Sequence, residues 1–169
     1  MTKTDVRSAA LDTEAFRKVM SNFATGVTVV TTNVDGKLHG FTANAVASVS
    51  LDPLLFLVCV DKKANAHGEL GRAKHFGVSV LATHQQHVSN TFAKTALPEE
   101  GSLRGVSYRI GSTGVPLLEE SIACLECEVH ELLEGGDHTI VIGRALAGCV
   151  DSDAAPLIFF RGRYREIAD

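Results

Sequence analysis

The chain has 169 residues, 45% of them hydrophobic and 21% charged, which suits one domain with a sizeable core and excludes disorder. Its formal net charge of −4 excludes the basic surface that nucleic acid or an anionic membrane demands. No apolar run reaches the length of a membrane span. The opening MTKTDVRSAALDTEAF has no signal-peptide hydrophobic region, so the expected location is cytoplasmic.

Residues 1–11 are expected to be a flexible N-terminal stretch. Residues 12–24 read as an amphipathic helix: Phe16, Val19, Met20 and Phe23 fall at i, i+3, i+4 and i+7, with Asp12 or Thr13 as the cap. From Gly26 to Thr32 the chain is a β-branched strand. It ends at Asn33-Val34-Asp35-Gly36, whose Asp-Gly signals a tight turn and a hairpin into the next strand from Lys37.

Gly40 to Val60 (GFTANAVASVSLDPLLFLVCV) reads as two apolar runs joined by a turn at Asp52-Pro53. Thr42, Asn44, Ser48 and Ser50 alternate with Ala43, Ala45, Ala47 and Val49, the period of a strand with one polar face. Leu54 to Val60 is seven consecutive apolar residues, suited to a strand buried on both faces. Hydroxyls and amides beside backbone free of bulky side chains can receive a flat polar ligand. A Thr/Ser face wetted by solvent fits the same pattern.

A polar loop, DKKANAHGELGR, then leads into a short helix stopped near Gly71. Residues 75–82 read as a strand and Thr83 to Ala93 as a helix capped by Thr83. Residues 94–118 are irregular, with Pro98, Gly101, Gly105, Gly111, Gly114 and Pro116; so long a loop is usually functional or mobile. Strands 122–133 and 138–150 form a hairpin across Glu134 to Asp137, and Pro156-LIFFRGRYR closes the chain as a last strand. About seven strands on short turns, with two or three peripheral helices, predict a mainly β antiparallel barrel.

Four cysteines (Cys59, Cys124, Cys127, Cys149) without an export signal are expected to be reduced thiols. Cys124 and Cys127 form a CxxC on a strand, where i and i+3 point to opposite faces, and no second CxxC completes a zinc site. His84 and His87 lack a third ligand and read as a solvated helix face. No dinucleotide glycine fingerprint, phosphate-binding P-loop or nucleophile elbow occurs. Lys62-Lys63 and Arg161, Arg163 and Arg165, the latter sharing one strand face, are the basic candidates for a phosphate.

Four segments in order, FRKVMSNFATGVTVVTT, GFTANAVASVSLDPLLFLVCV, GDHTIVIGRALAG and PLIFFRGRY, resemble the flavin reductase family with the FMN-binding split barrel. The resemblance runs from Ala15 to Tyr164, within a single domain spanning residues 1–169. It implies a homodimeric split β-barrel that reduces FMN or FAD with NADH or NADPH and supplies reduced flavin to a separate monooxygenase. Carried over, Phe41, Thr42, Ala43, Asn44 and Ala45 would line the isoalloxazine, with Ser48 and Ser50 along its ribityl and phosphate side. Cys59, Val60, Asp61, Lys62, Ala64 and Asn65 would close on the ribityl phosphate, although DKKAN departs from the family's pattern, leaving both FMN and FAD open. Phe92 would be an apolar flavin contact, Tyr164 would lie near the site, and His138 would face the nicotinamide. The alternative is a barrel that holds its flavin tightly as an electron carrier.

Overall fold

The computed structural model describes residues 11–94, 99–100, 102–150 and 153–167; residues 1–10 of the predicted N-terminal stretch, and Pro98 and Gly101, lie outside them. Helix α1 (Thr13–Met20) starts where the sequence says, with the Asp12 carboxylate accepting the Ala15 N–H at 2.8 Å. It is shorter than residues 12–24, and Phe16, Val19, Met20 and Phe23 are 47–69% exposed. The periodicity is real, but among the described residues of one chain that face stays exposed.

The strands are β1 (Thr25–Gly26), β2 (Thr28–Val34), β3 (Lys37–Ala43), β4 (Val46–Leu51), β5 (Leu54–Asp61) and β6 (His75–Val80). Helix α2 (Asn65–Arg72) lies between β5 and β6, and α3 (Gln86–Phe92) follows β6 after a 3₁₀ turn at Thr83–Gln85. Next come β7 (Glu99–Glu100), β8 (Tyr108–Ile110), β9 (Pro116–Leu118), β10 (Ala123–Gly135), β11 (His138–Val150), β12 (Ile158–Phe160) and β13 (Arg163–Arg165). Asp35 and Gly36 both take positive φ (54° and 81°), which joins β2 to β3 as the Asp-Gly signal requires.

Eight strands form one antiparallel sheet in the order β4-β5-β11-β10-β6-β2-β3-β7. One face of that sheet closes on Val30, Val58, Val60, Phe76, Val78, Cys127 and Val141, covered by Ala66 and Leu70 of α2. The other face packs Val27, Val29, Leu38 and Leu81 against Val88 and Phe92 of α3 and Leu157 near the C-terminus. Adjacent Val29 and Val30 therefore serve opposite cores, as strand alternation dictates. Burying one such side chain contributes about 1.5–3 kcal/mol. The chain passes from β3 to β4 through Asn44-Ala45 without pairing those two strands, and Ala45 O accepts the Cys59 N–H at 2.9 Å. The architecture is a mainly β antiparallel split barrel with three α-helices among the described residues.

Several expectations need correction. The polar strand from Gly40 to Ser50 breaks at Asn44-Ala45, and a bulge between Ser48 and Ser50 disturbs its second half, so the four polar residues share no single face. Leu54 to Val60 is not buried on both faces: only Val58 and Val60 are buried, and Leu54 is 53% exposed beside the edge strand β4. The closing strand is two, divided at Arg161-Gly162, where φ is 51° and 73°. Arg161 therefore leaves the line of Arg163 and Arg165; its guanidinium donates to Asn22 Oδ1 at 2.8 Å and covers the Phe160 ring at 4.9 Å. The irregular stretch holds the β8–β9 hairpin. His84 lies in the 3₁₀ turn, 3.5 Å from the Glu120 carboxylate.

The cysteines divide. Cys124 on β10 stands opposite Cys149 on β11 with Cα atoms 5.3 Å apart, and the two form a disulfide, which overturns the reduced-thiol expectation for that pair. The hairpin register that pairs Gly135 with His138 also pairs Cys124 with Cys149, because an extra residue in β11 (Leu146) offsets an extra residue in β10 (His130). Cys59 and Cys127 are free. Cys127 lies in the main core, where burial pushes its thiol up to about 12, while Cys124 lies in a small cluster with Val115 and Leu117. The sulfurs of the CxxC diverge.

Candidate active site at the open edge of the third strand

Strand β7 pairs with β3 only at Lys37 and Leu38, so among the described residues no strand pairs with the outer edge of β3 from Gly40 to Ala43. A cleft of about 260 Å³ lies along that edge. Its walls are residues 39–45 of β3 and the following link, 59–61 of β5, 64–66 at the start of α2, 92–94 at the end of α3, and Arg104 and His138. Seven consecutive residues of both parities line it, so β3 is presented edge-on, offering backbone rather than one side-chain face.

The polar side chains on that edge are largely engaged within the protein. Thr42 Oγ1 donates to Ser89 O at 2.7 Å, fastening β3 to α3, and Thr28 Oγ1 donates to Ala43 O at 2.7 Å. The Asn44 amide donates to Thr25 Oγ1 at 3.2 Å. Gly40 is required by close approach: a Cβ there would stand 2.6 Å from Phe92 Cε1. With no side chain at 40, Phe92 seats flat against β3 and becomes one wall of the cleft.

His138 opens β11 opposite Asp61, and its Nδ1 lies 2.8 Å from Asp137 Oδ1. That hydrogen bond first, then the charge of the ring, hold the Asp137 carboxyl below the usual range. With Nδ1 engaged, Nε2 is the nitrogen left for a ligand at the cleft rim. The turn carrying His138 is fixed from β5: Lys62 Nζ donates to Glu134 Oε2 at 2.5 Å and to Gly136 O at 2.8 Å, and the Lys62 N–H donates to Asp137 O at 3.0 Å. His67 of α2 adds a 2.8 Å bond to Thr139 Oγ1. Burial raises the Cys59 thiol, so this cleft residue stays protonated at neutral pH and is no nucleophile.

Of the residues singled out from the sequence, Phe41, Thr42, Ala43, Asn44, Ala45, Cys59, Val60, Asp61, Ala64, Asn65, Phe92 and His138 come together at the cleft. Ser48, Ser50, Lys62 and Tyr164 do not line it. Ser48 and Ser50 lie on β4 beyond the break, and Ser50 Oγ accepts the Asp52 N–H at 3.2 Å. Lys62 faces the β10–β11 turn. Tyr164 packs behind α3, its hydroxyl 2.8 Å from Ser89 Oγ and 3.2 Å from Asn90 Oδ1, and so supports the helix that carries Phe92. Sequence reasoning missed His39, Lys94 and Arg104, which reach the cleft from a strand start, a helix end and an irregular segment.

This is a slot of backbone donors and acceptors with an aromatic wall and the His138 imidazole at its rim. It suits holding flat rings in register, not nucleophilic attack.

The flavin reductase like domain matches residues 20–168. The chain is 44% identical over 137 residues to a probable flavin reductase of Rhizobium meliloti, covering 80% of this chain and 43% of that protein. It is 34% identical over 162 residues to the reductase subunit HsaB of a flavin-dependent monooxygenase of Rhodococcus jostii, covering 96% and 82%. Among solved structures, an NADH:FAD oxidoreductase of Streptomyces globisporus in complex with NAD and FAD fragments superposes with a TM-score of 0.86 at 36% identity, over 95% of this chain and 98% of that one. The chain spans less than half the length of the Rhizobium meliloti relative and nearly all of the Streptomyces globisporus structure. With a match over residues 20–168 and a fold shared almost end to end, the chain belongs to the flavin reductase family.

Proposed function

We propose that this protein is an NAD(P)H-dependent flavin reductase that passes reduced flavin to a partner monooxygenase. The observation that carries the reading is the cleft along the outer edge of β3, where among the described residues no strand pairs with Gly40 to Ala43, with Phe92 on one side and His138 across it. A flavin held there would supply the redox chemistry as the acceptor of a hydride from a nicotinamide nucleotide. The protein supplies position. Backbone N–H and C=O groups of β3 would hold the flavin's polar edge, and N–H donors there would favour the anionic reduced ring. Asp137 orients the His138 imidazole toward the nicotinamide. No residue has to donate a proton in the hydride step, which suits a cleft whose one thiol is held protonated. The bound NAD and FAD fragments of the Streptomyces globisporus protein, and the monooxygenase named for the Rhodococcus jostii relative, support the nucleotide pair and the partner class.

The working unit is a homodimer. Its support is the apolar surface that one chain leaves open: Phe16, Val19, Met20 and Phe23 around α1, and Val49, Leu51 and Leu54 at the β4–β5 hairpin. Light scattering at the mass of two chains is the expected result.

Mixing purified protein with NADH tests the activity. The protein alone should consume NADH slowly, and added FMN or FAD should accelerate it many-fold. Yellow protein that never oxidises NADH would overturn the reading and favour a tightly held flavin carrier.

A further inference from the structure

The two lysines that the sequence offers for a phosphate do not line the cleft, because Lys62 is bonded to Glu134 and Gly136, and Lys63 lies outside its walls. Two other cations do line it, Lys94 and Arg104, both on the α3 side, while the Asp61 carboxylate stands on the β5 side. A nucleotide ligand carrying phosphate is therefore repelled by one wall and attracted by the other.

Arg104 is built into position. Leu103 before it is 2% exposed in the α3 core, and Arg104 and Gly105 take φ of 54° and 74°, so the chain turns sharply over the helix end. A left-handed arginine is uncommon and persists only where its surroundings impose it. Its Nη1 donates to Thr91 O at 2.7 Å and Lys94 O at 2.9 Å, and its guanidinium carbon lies 5.4 Å from the Phe92 ring centroid. A fork held this way loses little freedom on binding and has the planar geometry that phosphate oxygens accept.

We propose that Arg104, assisted by Lys94, recognises a phosphoryl group of a nucleotide bound in the cleft, and so selects phosphorylated ligands over phosphate-free ones. The inference rests on the reading of the cleft as a site for flavin and nicotinamide nucleotides; either ligand can bring the phosphate.

Two ratios separate the sources in Arg104→Gln and Arg104→Lys. The first is the affinity for FMN over riboflavin, from quenching of flavin fluorescence with no NADH present. The second is kcat/KM for NADH over dihydronicotinamide riboside. Removing a charged donor to phosphate should lower one ratio about tenfold or more in Arg104→Gln, and Arg104→Lys should restore much of it. The ratio that falls names the ligand whose phosphate Arg104 holds. If both ratios keep their wild-type values, the proposal is overturned, even if affinities fall together, because a common loss is that of a displaced α3. A wild-type protein that binds neither flavin and oxidises no NADH would instead overturn the flavin reading, and the role of Arg104 with it.

Discussion

The two ends of the β10–β11 hairpin treat polar groups in opposite ways. Toward its base, Glu126 is 5% exposed and accepts from the N–H and hydroxyl of both Ser112 and Thr113, which pins the turn between β8 and β9. The Cys124–Cys149 disulfide crosses the same strands, and Arg109 of β8 donates to both sulfurs, at 3.4 and 2.9 Å. Polar groups there are satisfied within the chain, and the end is closed. At the tip, His138 keeps 40% of its side chain exposed and stands beside an unpaired strand edge. The difference separates stability from function: substitutions at the base should move the melting temperature and leave the ligands alone, and those at the tip should do the reverse.

The largest expected effect is loss of the disulfide. Its two cysteines are 25 residues apart, and opening a loop of that size costs about 3 kcal/mol. Each kcal/mol lowers the melting temperature by about 2–4 °C in a chain of this size. Cys149→Ser should melt early while flavin affinity stays near wild type. Thiol titration of the unreduced, unfolded protein should find two thiols, Cys59 and Cys127; four would remove the bridge from the account.

Next is Glu126→Gln, expected to cost about 2 kcal/mol, since hydrogen bonds to a charged group are the strong ones. Burial raises this carboxyl, but the bonds from Thr113 and Ser112 together outweigh burial and hold it below its ordinary 4.5. A carboxyl depressed in the folded state stabilises fully above its unfolded value and loses that contribution as pH falls through its folded value. Melting curves below about pH 4.5 should therefore converge for wild type and Glu126→Gln. Parallel curves down to pH 3 would show that Glu126 is not responsible.

The smallest effect on stability, and the clearest on function, belongs to His138→Ala. Substitution at a half-exposed rim residue should change stability by about 0.5 kcal/mol or less. It should lower kcat/KM for NADH about tenfold, with flavin affinity little changed. An early melt with both ligands disturbed would make His138 a strut of the hairpin, and the contrast between tip and base would fail.

The same contrast explains what the sequence made legible. Turns and caps announce themselves locally: Asp12 caps α1, Asp35-Gly36 turns β2 into β3, and the hydrophobic periods place the strands. Twelve of the anticipated site residues meet at the cleft: seven lie on β3, β5 and the β11 start, and five on the link after β3, the start of α2 and the end of α3. Features that depend on register or on long-range approach did not show. Cys124 meets Cys149 because two bulges on opposite strands cancel, and a break at Asn44-Ala45 takes Ser48 and Ser50 away from the cleft lining. Arg104 reaches the cleft only because α3 packs on Gly40, and a glycine within a strand is the one local sign that something approaches there.

The central claim is that flavin is bound and reduced along the open edge of β3, and Ala45→Leu tests it most directly. Ala45 is exposed in the cleft wall, so a larger side chain there enters the ligand's space without entering the core. Wild type and variant should be compared by melting temperature, then mixed anaerobically with flavin and NADH while loss of flavin colour is followed. The account predicts equal melting temperatures, rapid bleaching by wild type, and bleaching by the variant slowed at least tenfold at low flavin concentration. Equal bleaching by a folded Ala45→Leu would contradict it and move the flavin away from β3.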